Sequence, residues 1–248
     1  MFSTTRRNFL QKSGLASIGL FFGADAWSKN LQHAINDYQN IGPETLATEE
    51  DFWHYVQQSY TTSGGIINLN NGGVSPSPKI VQDAMKRYHD MSNEAPSYYM
   101  WRILDQGREP LRDKLAHLAG VNAEELALHR NASEALETVI FGLDLKAGDE
   151  VVLSKQDYPN MINAWKQREK RDGIKLVWVN HELPSIDNDY LTNNYTQKFT
   201  AKTKIVHITH IINWNGQIVP VRKIADVAKA QGIEVLVDGA HSFAHFDF

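Results

Sequence analysis

From Glu125 onward, short runs of β-branched and leucine residues take turns with longer runs of helical spacing, and few folds accept that rhythm. Residues 126–129, 150–153, 175–179, 204–211 and the run beginning at 234 read as strands. Residues 133–143, 160–171, 191–199 and 221–231 read as helices between them. Strand and helix in alternation with short connections predict βαβ units, hence an α/β fold with a mainly parallel sheet flanked by helices. Ligands of such sheets sit just beyond the carboxyl ends of the strands. The residues that follow each strand therefore matter most.

Val235 to His241 reads VLVDGAH, a buried strand that ends in an acid. A carboxylate at Asp238 is suited to holding a proton on a heteroaromatic nitrogen, as an acid does against the pyridinium of pyridoxal 5'-phosphate (PLP). It is equally suited to capping the next turn. After the strand at 126 comes Arg130-Asn131-Ala132-Ser133-Glu134, a helix start whose free amides and serine hydroxyl suit a phosphate. Asn131 with Glu134 also forms an ordinary capping box. After the strand at 150 comes Asp157-Tyr158-Pro159-Asn160, whose aromatic ring can lie against a planar ligand or pack in a loop. After the strand at 204 comes His210-Ile211-Ile212-Asn213-Trp214-Asn215-Gly216, where Asn213 can donate to a phenolate or substrate carboxylate, or form a turn. Four such features in succession favour one shared site.

The first half has a different character. Residues 27–63, with Phe52-Trp53-His54-Tyr55-Val56, read as an N-terminal helical arm. Residues 66–70 read as a short strand leading into Asn70-Asn71-Gly72-Gly73. Glycines let backbone approach a ligand closely, so Asn71 and Gly72 are candidate substrate contacts, with a plain turn as the other reading. Pro76 and Pro78 open a helix through about residue 92. A second helix is expected over 101–118, from the spacing of Ile103, Leu104, Leu111, Leu115 and Leu118.

Residues 1–26 read as an export signal: charged residues, then an apolar run over 14–24, then Ala24-Asp25-Ala26 as a cleavage site. The apolar run is too short to cross a membrane, so no stable membrane insertion is expected. Arg6 and Arg7 followed by Phe9 and Leu10 resemble the twin-arginine signal, which implies a periplasmic protein. Without that signal 22 basic residues face 28 acidic ones, which gives no electrostatic reason to expect nucleic acid. The sequence has no cysteine, which excludes disulfides, thiolate metal sites and a cysteine nucleophile within it.

RNASEAL at 130–136, DYPNM at 157–161, HIINWNG at 210–216 and VDGAH at 237–241 together resemble the class V aminotransferases, PLP-dependent enzymes of fold type I. The likeness is strongest to the isopenicillin N epimerase-like branch and runs from about Asn68 to the end. The resemblance implies that residues 64–248 form an incomplete large domain of that fold and that the protein is a homodimer. It implies that Ala132 and Ser133 hold the cofactor phosphate, Tyr158 stacks on the ring, and Asn213 lies near the ring hydroxyl. It also implies that Asp238 pairs with the ring nitrogen and that His241 reaches the ring hydroxyl or the phosphate edge. Asp238, His241 and Tyr158 are thus the expected catalytic residues, and the substrate is an amino acid or a derivative.

One departure stands out. The family's lysine, which holds the cofactor aldehyde, follows the Asp by a few tens of residues, whereas the ten residues after Asp238 contain no lysine. The chain is therefore expected to be a piece of a longer enzyme, with an inactive remnant serving in binding as the alternative. A nucleotide-binding α/β domain using 130–136 is a third reading. It lacks a glycine-rich phosphate fingerprint.

Overall fold

The computed structural model describes residues 36–38, 40–69, 71, 73–243 and 245. The export signal, residues 27–35 of the arm, and Gly72 lie outside the described residues. The chain divides into two compact units, one through Trp101 and one from Arg102.

The first unit is helical. Pro43–Leu46 (α1) starts at a proline, Glu50–Gln58 (α2) carries Glu50 and Asp51 in its first turn, and Lys79–Glu94 (α3) follows Pro78. Acidic residues at a helix start suit the positive end of its dipole. The Lys79 amide donates to the Ser59 carbonyl at 2.8 Å, and Gln82 Nε2 donates to Thr61 Oγ1 at 2.9 Å, so α3 is tied back to the end of α2. Pro96–Tyr98 (α4) completes the unit. Ile66, Ile67 and Leu69 are 73%, 85% and 90% exposed, and among the described residues 66–69 pair with no strand. The short strand expected at 66–70 is not formed, because a strand exists only through a partner's backbone.

The second unit is a three-layer sandwich. Glu150–Ser154 (β1), Lys175–Val179 (β2), Thr203–Thr209 (β3) and Glu234–Asp238 (β4) form a wholly parallel sheet in the order β2-β1-β3-β4. Arg108–Ala119 (α5), Ala132–Gly142 (α6), Pro159–Asp172 (α7), Asn188–Thr196 (α8) and Val221–Ala230 (α9) are its helices. Side chains alternate across a strand, so each one feeds two cores. Val151, Leu153 and Ile205 pack with Leu136 and Ile140 of α6 and Met161, Ala164 and Trp165 of α7. Val152, Val206 and Ile208 pack on the other face with Tyr195 of α8 and Ile224 and Ala228 of α9. Parallel sheets need both faces covered, which explains why β1 reads as an unbroken apolar run.

Three further expectations change. The strand expected at 126–129 is extended backbone without a ladder among the described residues, and Leu128 is 44% exposed. The single helix expected over 101–118 is a π turn at Tyr99–Leu104, a 3-10 turn at Asp105–Gly107, and then α5. Pro110 explains the restart: it has no amide to donate and is accommodated only in a first turn. The helix expected at 191–199 begins earlier, at Asn188, because Asp187 Oδ1 accepts the amides of Asp189 and Tyr190.

Candidate active site

The chain runs from β1 outward to β2, then returns across β1 to β3 and continues outward to β4. The direction of winding therefore reverses between β1 and β3. Helices leave that point toward opposite faces and open a crevice at the carboxyl ends, the usual ligand position in open α/β sheets.

Three of the residues read from the sequence are tied together at this rim. Asp238 ends β4, is 5% exposed, and lies beside Thr209 in the parallel register. Its Oδ1 accepts the Ala240 amide at 3.0 Å, and its carbonyl accepts the His210 amide at 3.0 Å. Asp238 thus caps the turn that follows it, and it does so at the switch-point rim. Tyr158 lies in the loop between β1 and α7, is 40% exposed, and precedes Pro159 at the start of α7. Asn213 is exposed in the turn after β3, and its neighbour Trp214 donates Nε1 to the Gln156 carbonyl at 3.5 Å. That contact joins the Asn213 turn to the Tyr158 loop.

Ala132 and Ser133 reach the same rim by a different route. Near the carboxyl end of α7, the Arg168 guanidinium donates to the carbonyls of Ile140, in the last turn of α6, and of Leu143 just beyond it. The two helices thus end together at the amino ends of the strands, and both begin at the opposite rim. At the start of α6, Asn131 Oδ1 accepts the Glu134 amide at 2.9 Å and Glu134 pairs with Arg130 Nε at 2.8 Å, so the capping interaction is present. It uses the third amide of the helix. Those of Ala132 and Ser133, the first two, have no acceptor within the helix and point outward from its positive end.

His241 is half-buried in the turn after Asp238, where the Ser242 amide donates to the Gly239 carbonyl at 3.0 Å. Asn71 belongs to the first unit, and its side chain is held by Asn68 through bonds of 2.8 and 3.1 Å.

Beneath these residues lies a buried polar layer that the sequence reading passed over. Asp157 is 4% exposed and accepts three hydrogen bonds: from the Ser154 amide at 2.7 Å, Thr209 Oγ1 at 2.7 Å and the Thr209 amide at 3.3 Å. Burial pushes its carboxyl up to about 7, against the pull of those donors and with a further push from the Asp238 charge. Gln156 Nε2 donates to Asn180 Oδ1 and to the His181 carbonyl, both at 3.1 Å, so the loop also grips the end of β2. His207 on β3 is fully buried against Trp165, with both ring nitrogens unpartnered. Desolvation holds its imidazole down at about 4 although the Asp238 charge favours protonation, and it is neutral at ordinary pH. Asp157 was legible as the neighbour of Tyr158, and Thr209 as the neighbour of His210. No spacing signals His207.

A buried acid at the end of a strand, an aromatic and an amide on adjacent loops, and the positive end of a helix fit a planar, protonatable, phosphorylated ring. Solved structures share this arrangement of strands and helices. The complex of the cystine C–S lyase C-DES with cysteine persulfide matches with a TM-score of 0.63 at 26% identity, over 72% of this chain and 48% of that one. A C-DES variant with glycine covalently linked to the PLP cofactor matches with a TM-score of 0.68 at 24% identity, over 77% and 51%. The second unit is thus built as part of the large domain of a fold type I PLP-dependent enzyme.

Residues 67–248 match the family model described as aminotransferase class-V, and the chain belongs to that family, which is PLP-dependent. Isopenicillin N epimerase of Streptomyces clavuligerus is 28% identical over 196 residues, covering 79% of this chain and 49% of that protein. A probable cysteine desulfurase of Halobacterium salinarum is 30% identical over 194 residues, covering 71% and 44%. The chain spans about half the length of the curated relatives it matches.

Proposed function

We propose that the whole protein is a PLP-dependent enzyme acting on an amino acid or amino-acid derivative, by amino transfer or by epimerisation at the amino-bearing carbon. The observation that carries this reading is Asp238, a buried carboxylate at the end of a strand beside the switch point, on the rim shared with Tyr158, Asn213 and the start of α6. When bound, PLP supplies an electron sink that weakens the bonds at the substrate's amino-bearing carbon. Asp238 keeps a proton on the ring nitrogen, without which the sink is shallow. Tyr158 covers one ring face, and Asn213 donates to the ring hydroxyl oxygen. The Ala132 and Ser133 amides with the Ser133 hydroxyl take the phosphate, and His241 reaches the ring hydroxyl or the phosphate edge. Membership of the PLP-dependent family and the amino-acid chemistry in the relatives' names support this assignment.

Pyridoxine 5'-phosphate tests it, because this ligand has the ring nitrogen and phosphate of PLP but no aldehyde to react with surface lysines. Calorimetric titration is expected to give saturable binding, weakened about tenfold or more by Asp238→Asn, which no longer offers a charge to the ring nitrogen. Stabilisation by ATP with none by pyridoxine 5'-phosphate would overturn the reading in favour of a nucleotide site.

Export to the periplasm by the twin-arginine route belongs to the same proposal, supported by Arg6, Arg7 and the apolar run that follows. Replacing both arginines with lysine is expected to abolish export of a fused reporter. Among the described residues no helix is long and apolar enough to cross a membrane. A homodimer is proposed from the resemblance, with light scattering of the whole protein expected to give twice the chain mass.

A further inference from the structure

We propose that Asp157 is a positioning residue of this site, which locks the ends of β1 and β3 together at the switch point and couples its own ionisation to the charge on Asp238. The inference rests on the cofactor reading and adds a pH dependence to it. A carboxylate with three donors on two oxygens is the only common side chain that can accept from the Ser154 amide and both Thr209 donors at once. Thr209 lies 52 residues from Asp157 in sequence, and the donors sit on the two strands that flank the crevice. Tyr158 is the next residue, so its position over the crevice is set by this lock.

The same carboxylate is under opposing influences. Its donors favour the ionised form, while burial and the neighbouring Asp238 disfavour it, leaving the group close to neutrality in its titration. The groups facing it are Ser154 from β1, Thr209 from β3, Asp238 from β4 and Tyr195 from α8. Burial holds the Tyr195 phenol well above its ordinary value, so it is uncharged. His207, two residues before Thr209, acts on Asp238 rather than on Asp157, and His181 packs against Tyr195 at 5.1 Å between ring centres. Burial lowers His181 to about 4, so that ring is neutral too. Asp238 is therefore the charged group opposing Asp157. A protonated ring nitrogen seated on Asp238 offsets that opposition, and Asp157 then ionises more readily. By linkage, ionised Asp157 strengthens ring binding by the same factor.

The test is the pH dependence of pyridoxine 5'-phosphate affinity in wild type, Asp157→Asn, Thr209→Ser and Thr209→Val. The ratio of wild-type to variant affinity cancels the ligand's own ionisations. For Asp157→Asn this ratio is expected to grow by roughly three- to tenfold from pH 5.5 to 8.5. Thr209→Ser, which keeps the hydroxyl, is expected to retain the wild-type profile. Thr209→Val is expected to move the midpoint to higher pH, because it removes a donor that favours the carboxylate. A ratio constant across this range would overturn the proposal. In ligand-free protein, Asp238→Asn is expected to lower the Asp157 midpoint read from its ¹³C carboxyl shift, and an unmoved midpoint would also overturn it. If no form binds the ligand, the cofactor reading fails; the ligand-free titration still decides whether the two acids are coupled.

Discussion

At the amino ends of the four strands the chain places Glu150, Lys175 and Glu234, and Lys204 follows Thr203 in β3. Three of the four are exposed; Glu150, half-exposed, accepts from Thr200 Oγ1 at 2.6 Å. At the carboxyl ends it places Ser154, Thr209 and Asp238, with Gln156 and Asp157 just beyond, all buried. One rim solvates its polar groups and the other must pair them inside the protein. Burying a polar group is unfavourable unless it is hydrogen-bonded, so the carboxyl rim is stable only as a complete network. The contrast teaches that the functional end of this sheet is also the end where a single lost partner has the greatest consequence.

The largest expected effect comes from breaking the network. Asp157→Leu leaves the Ser154 amide and both Thr209 donors without acceptors, and is expected to lower unfolding stability by about 3 kcal/mol or more in urea titration. A smaller effect of the opposite sign is expected at His207, whose two unpartnered nitrogens already forgo hydrogen bonds. His207→Leu is expected to be neutral to stabilising by about 1 kcal/mol at pH 7. Because burial depresses the His207 titration from 6.5 to about 4, the unfolded chain binds the extra proton across that window. Wild-type stability thus contains a term that is complete above pH 6.5 and is lost as pH falls toward 4. The variant lacks it, so it is expected to lose less stability between pH 7 and pH 5. Asp157 has the opposite sign: its raised titration favours the folded state below pH 3.8, and that stabilisation is lost as pH rises through about 7. The smallest effect belongs to the other rim. Glu234→Gln is expected to change stability by less than about 0.5 kcal/mol and to leave pyridoxine 5'-phosphate affinity unaltered.

The parallel sheet was legible because β1, β3 and β4 are apolar runs ending in residues of a different kind, and because helices of ordinary spacing separate them. VLVDGAH announced its own strand end, and the structure puts Asp238 there. The segments at 66–70 and 126–129 carry similar local signals yet form no ladder among the described residues, since pairing depends on a partner that local pattern does not encode. The buried layer was hidden for a related reason. Asp157 and Thr209 become one unit only when β1 and β3 lie side by side, and an interior His207 breaks the apolar pattern of a strand that burial still accepts.

Trp214 projects from the turn after β3, 64% exposed, while its indole nitrogen reaches back to the loop that carries Tyr158. Light emitted by such a ring responds to whatever settles beside it. The molecule thus carries a native optical gauge at the mouth of its crevice, and Trp214→Phe in a titration would show how much of the signal comes from there.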